Sequence, residues 1–76
     1  MTPEQRKLNA ERLLNDETLR LAFDMIQDDA VGVFKHPNAS QEDIMEAHRM
    51  VRALDALRTQ LEAFVADGMM AERRKR

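Results

Sequence analysis

Residues 40–68 read SQEDIMEAHRMVRALDALRTQLEAFVADG, with no proline and no glycine before the last position. Ala47, Met50, Leu54, Leu57, Leu61 and Phe64 follow one another at steps of three, four, three, four and three. Helical side chains at that spacing share one stripe, so the pattern predicts an a/d seam along a single helix. Ile44, Val51 and Val65 widen the stripe on one side. A strict seam serves a two-stranded coiled coil and a wider one serves a bundle, and both stay open at this point. Ser40, with Asp43 three residues on, supplies the start. Asp67-Gly68 predicts the stop, with glycine just past the cap. At 1.5 Å per residue this helix is roughly 40 Å long.

Upstream, Leu19, Ala22, Phe23, Ile26, Ala30, Val33 and Phe34 lie on one face of a second helix, from Asp16 to about Lys35. Glu17, Asp24 and Asp28 fall away from that face, and Gly32 marks either fraying or a close helix contact. His36 precedes Pro37 and is pushed out of helical geometry. The connection HPNAS is short, so the two helices are expected to pair as an antiparallel hairpin. The second helix is about 30 Å long, which leaves apolar surface on the longer helix uncovered.

At the N-terminus, Thr2, Pro3 and Gln5 form a helix-start signal of the capping-box kind. Asn15 or Asp16 then offers a second start, with Glu17 in its first turn. The segment is expected either to kink there or to run through. The expected organisation is an N-terminal helical extension over 1–15, a helical hairpin over 16–68 and a basic tail over 69–76.

A chain of 76 residues makes one domain at most. At this size folding buries only roughly 60% of the unfolded surface, so the monomer is marginal. No cysteine is present to add a disulfide or a thiolate metal site. Self-association is the remaining remedy, and a homo-oligomer is expected. No apolar run approaches the roughly 18 residues of a membrane span, and the first residues have no apolar signal core. A cytosolic location, or assembly from a cytosolic pool, is expected.

The net charge of −2 is unevenly spread: +1 over residues 1–15, −6 over 16–46 and +3 over 47–76. Arg73, Arg74, Lys75 and Arg76 are four adjacent cations. They suit phosphates, or an acidic surface such as residues 16–46 of a neighbouring copy, or a solubilising tail. Four cations bind nucleic acid weakly and with strong salt dependence, and no aromatic residue interleaves them for base stacking. Glu46, Arg49, Arg52, Asp55, Arg58 and Glu62 form a mixed-sign ladder instead, which argues against a helix laid into a DNA groove.

No catalytic constellation is present. Ser40 reads as a cap, and His36 and His48 are twelve residues apart. There is no HExxH, no glycine-rich phosphate loop and no GxSxG. Asp24 and Asp28 lie one turn apart, a spacing that suits a hard cation but reads more simply as a solvated acidic face. His48, beside the seam, reads as a partly buried helix histidine. No enzyme, cofactor or metal is expected. Met69 and Met70 stand beyond the glycine stop as candidate contacts to another chain, since thioethers repack easily.

The stretches LNAERLLNDETLRLAFDMIQ (8–27) and RALDALRTQLEAFVADGMMAE (52–72) together resemble short helical proteins of tailed-bacteriophage genomes. In that set, encoded among head-assembly and DNA-packaging genes, an LL-x-D/N start precedes the first long helix. An AL…L…L stretch with a late DG closes the second. The chain departs from it in the proline-containing KHPNAS loop and the RRKR end. The resemblance implies a virion- or assembly-associated helper, in the host cytoplasm or the virion, with phage structural or assembly proteins as partners, and it carries over no catalytic residue.

The expected fold is therefore all-α: an antiparallel helical hairpin with a short N-terminal helix, completed to a bundle by self-association. The expected function is non-enzymatic protein–protein interaction through Met50, Leu54, Leu57, Leu61, Phe64, Met69 and Met70. The alternative is a nucleic-acid-binding or DNA-packaging accessory that uses Arg73, Arg74, Lys75 and Arg76.

Overall fold

The computed structural model describes residues 1–75, and they form three helices and no strand. α1 spans Pro3–Leu14, α2 spans Glu17–Lys35 and α3 spans Gln41–Arg74. Each start has a local cause. The Thr2 hydroxyl accepts the Gln5 amide (3.1 Å) while the Gln5 side chain accepts the Thr2 amide (2.9 Å). Asp16 Oδ1 accepts the Leu19 amide at 2.8 Å. Ser40 Oγ accepts the Asp43 amide at 3.0 Å, and Asp43 returns a bond to the Ser40 amide at 3.3 Å. Each bond satisfies a donor that the first helical turn leaves unpaired.

The first arm of the hairpin is broken, not continuous. Asn15 closes α1, its side-chain amide donating to the Glu11 carbonyl at 2.9 Å. Asp16 is extended (φ −74°, ψ 119°) and starts α2 one residue later. α1 and α2 thus lie end to end, and both run antiparallel to α3. Glu4 meets Lys75, Lys7 meets Glu72, and Phe23 meets Arg58. The N-terminal segment therefore folds back and covers the half of α3 that α2 is too short to reach. His36 ends α2 in extended geometry before Pro37, and its Nδ1 accepts the Asn38 amide at 3.1 Å.

Gly68 does not stop the long helix, as its sequence context predicts; α3 continues through it to Arg74, and no glycine has a positive φ. The physical reason is tertiary. A Cβ placed on Gly68 would overlap the Lys7 Cβ and stand 2.9 Å from the Pro3 carbonyl oxygen. Glycine is present because α1 presses onto α3 there, not because the chain turns. Gly32 is the opposite case: a Cβ there would meet nothing, so it marks no helix contact. Of the expected basic tail, Met69 to Arg74 are helical and continue α3, and Arg76 lies outside the described residues.

The chain extends 58 × 22 × 17 Å, two helices wide and one helix thick. Its core is accordingly thin. Ala10, Phe23, Ala30, Ala47 and Leu61 are its buried apolar side chains, and no described side chain is completely enclosed. Ala47, Leu61 and Gly68 are buried at multiples of seven, so α3 keeps heptad register along its inner edge. With no second layer, both flat faces of this sheet of helices meet solvent.

Candidate protein-interaction surface

The two faces differ in chemistry. On one, Ile26, Val33 and Met50 line an open groove of about 790 Å³ floored by Ala30 and Ala47. Leu57 and Phe64 follow Met50 at steps of seven and continue the same stripe of α3, and Leu19 precedes Ile26 by seven on α2. The Arg6 guanidinium lies 5.8 Å from the Phe64 ring centroid and so belongs to this face. Met50 is 42% and Leu57 48% exposed, while Leu19, Val33 and Phe64 are half-buried. Together they make a half-exposed apolar strip along the middle of the molecule, about 21 Å long on each helix.

The opposite face is mixed: Ile44 and Phe34 are exposed at its hairpin end, and Val51 and Val65 flank Arg58 at steps of seven, beside charged groups. Leu14, Arg20, Phe23, Asp24 and Arg58 surround a smaller groove of about 410 Å³, with the Arg58 guanidinium 5.6 Å from the Phe23 ring centroid. Further along, Lys7 Nζ bridges Glu11 (2.9 Å) and Glu72 (3.3 Å). Those two carboxylates, Glu11 first, raise the Lys7 pKa above the ordinary lysine value.

The predicted interface residues divide accordingly. Met50, Leu57 and Phe64 come together on the apolar face. Leu54 is half-buried and Leu61 buried, one heptad apart on the inner edge of α3 with Ala47 and Gly68. Met69 and Met70 are exposed but stand roughly 140° and 120° round α3 from Phe64, on other sides of the helix. His48 is exposed, not partly buried as its place beside the seam suggests. Leu19, Ile26 and Val33 were legible as apolar positions on α2. Their exposure was not, because it follows from the missing second layer.

The described part of the basic end, Arg73 to Lys75, is partly neutralised. Lys75 caps α3 and pairs with Glu4 at 2.7 Å. That bond holds the Glu4 carboxyl below its ordinary pKa. Arg73 and Arg74 occupy the last turn of α3, where cations favour the helix dipole, and neither forms an ion pair among the described residues. In the exposed ladder, only Arg49 and Glu46 pair within 4 Å, at 3.2 Å. Among the described residues there is no group of three or more potential metal ligands, and no helix is long and apolar enough to cross a membrane. Comparison with known proteins finds no family model, curated protein or solved structure that matches this chain.

Proposed function

We propose that this chain is a non-enzymatic interaction module that works by helix packing, and that it serves as a virion or assembly accessory of a tailed bacteriophage. One observation supports the mode of action: the strip Leu19, Ile26, Val33, Met50, Leu57 and Phe64 lies open on one face of a single-layer hairpin. An apolar strip of that length on so small a chain is a surface made to be covered. The phage setting rests on the resemblance of residues 8–27 and 52–72 alone.

Nucleic-acid binding through the C-terminal cations is the weaker reading, because Lys75 is already paired with Glu4. A photo-crosslinking amino acid at position 57, with the exposed position 55, about 160° round α3, as control, tests the interaction role in cells that make the protein. Protein adducts at 57 and not at 55 support it. Equal yields at the two positions, or none at either, overturn it.

A further inference from the structure

We infer that the apolar face is the seat of a second copy of this chain, laid on it antiparallel about a two-fold axis that passes at Leu57. The inference rests on the interaction role proposed above and names the partner of that same surface.

The first argument is the arrangement of the strip on α3. Met50 and Phe64 stand seven residues to either side of Leu57, so the strip reads alike from both ends. A two-fold axis at Leu57 sets Leu57 on its own copy and each Met50 against the other copy's Phe64, a thioether on a ring. An isologous interface requires that kind of self-complementarity.

The second argument is charge. At the hairpin end of the face, Asp29, Asp43 and Glu46 line the groove. At the other end stand Arg6, over Phe64, and, three and four heptads beyond Glu46 on the same stripe, Asp67 and Arg74. Two copies stacked face to face about a two-fold axis along the rod would set acid on acid. An axis across the rod sets α3 on α3 and places Arg6, Arg74 and Asp67 of each copy, a net positive end, over Asp29, Asp43 and Glu46 of the other. Asp67 then faces Glu46, one like-charge contact against the three opposed acids of the parallel stack, so charge on balance selects the antiparallel pairing.

The third argument is size. The outline of the face, 58 × 22 Å, leaves room for the roughly 800 Å² per partner that a specific stable interface buries. Pairing also supplies the second layer that a helical domain ordinarily has and this chain lacks.

Light scattering with size exclusion tests the pairing on the full chain. The wild type is expected at twice the 8.8 kDa chain mass. Leu57→Asp is expected at the single-chain mass with unchanged far-ultraviolet circular dichroism, since Leu57 is half-exposed within one copy. Orientation is read separately from Leu57→Cys, because the chain has no other cysteine. In the antiparallel pair its two thiols meet at the axis, and mild oxidation is expected to give a covalent dimer that Asp55→Cys, about 160° round α3, does not give. A wild type at 8.8 kDa up to high micromolar concentration overturns the pairing. A dimer in which Leu57→Cys links no faster than Asp55→Cys overturns the antiparallel arrangement. A monomer whose position 57 still crosslinks to a different protein in cells overturns self-pairing and leaves the interaction role standing. Absence of adducts at 57 removes both.

Discussion

The backbone of Gly68 lies against the side-chain root of Lys7, closer than any residue with a Cβ would permit. That contact seats α1 on the C-terminal half of α3. Alanine ordinarily improves a helix interior over glycine by about 1 kcal/mol. At Gly68 the added methyl would meet the Lys7 Cβ and the Pro3 carbonyl, neither of which is the loose end of a flexible side chain. Gly68→Ala is therefore expected to destabilise the fold by about 1–3 kcal/mol, the usual cost of overpacking. Gly32→Ala, where nothing stands in the way, is expected to stabilise it by about 0.5–1 kcal/mol. Urea unfolding of both variants checks the pair, and equal effects at the two sites would remove the close approach of α1.

Leu61 is the largest side chain of α3 that is properly buried, at 7% exposure. Leu61→Ala removes most of that side chain at a buried site and is expected to cost about 2–5 kcal/mol. Met45, half-exposed on the outer side of α3, is expected to lose under about 0.5 kcal/mol on truncation to alanine. Comparable losses at both, measured by chemical denaturation, would place the seam elsewhere.

The break between α1 and α2 depends on Asp16, whose carboxylate accepts the Leu19 amide at 2.8 Å. Asp16→Ala is expected to cost about 1 kcal/mol, as loss of a helix N-cap does. Asp16→Asn and Asp16→Ser keep an acceptor oxygen and are expected to recover most of it. Thermal unfolding of the three variants reads this directly. A full loss in Asp16→Asn would mean that charge, not the acceptor, holds the break.

The two capping boxes were legible because they depend on residues three positions apart, whereas the second start was legible only as a choice between Asn15 and Asp16, with the break itself left open. The hairpin turn was legible as the boxes were, from His36-Pro37 and Ser40. The heptad stripe of α3 was equally plain, but which of its members are buried was not. Ala47 and Leu61 are covered while Met50 and Leu57 are not, because one row of helices covers only the inner edge of the stripe. Gly68 misled because a glycine that ends a helix and a glycine that admits a neighbouring helix have the same local context. The difference lies in Lys7, sixty-one residues away. The basic C-terminus was legible as charge, whereas its tie to the N-terminus through Glu4 needed the fold-back of α1 to be seen.

That tie gives the molecule a pH dependence at its terminal end. The bond from Lys75 is the chief cause that lowers the Glu4 pKa from its ordinary 4.5. A carboxyl with a depressed folded-state pKa stabilises the fold above its unfolded value and loses that contribution as pH falls through the folded one. The loss therefore falls below pH 4.5, on the acid side only. Both groups are solvent-exposed enough for the effect to be small on global stability and local in place. Amide hydrogen exchange over the last turn of α3 is the fitting measurement, with Glu4→Gln as control. Exchange there, corrected for intrinsic rates, is expected to quicken between pH 5 and pH 3 in the wild type. In Glu4→Gln it is expected to be already fast at pH 5 and to change less. Protection that is the same in both proteins across this range would show that α3 holds its last turn without the Glu4–Lys75 bridge.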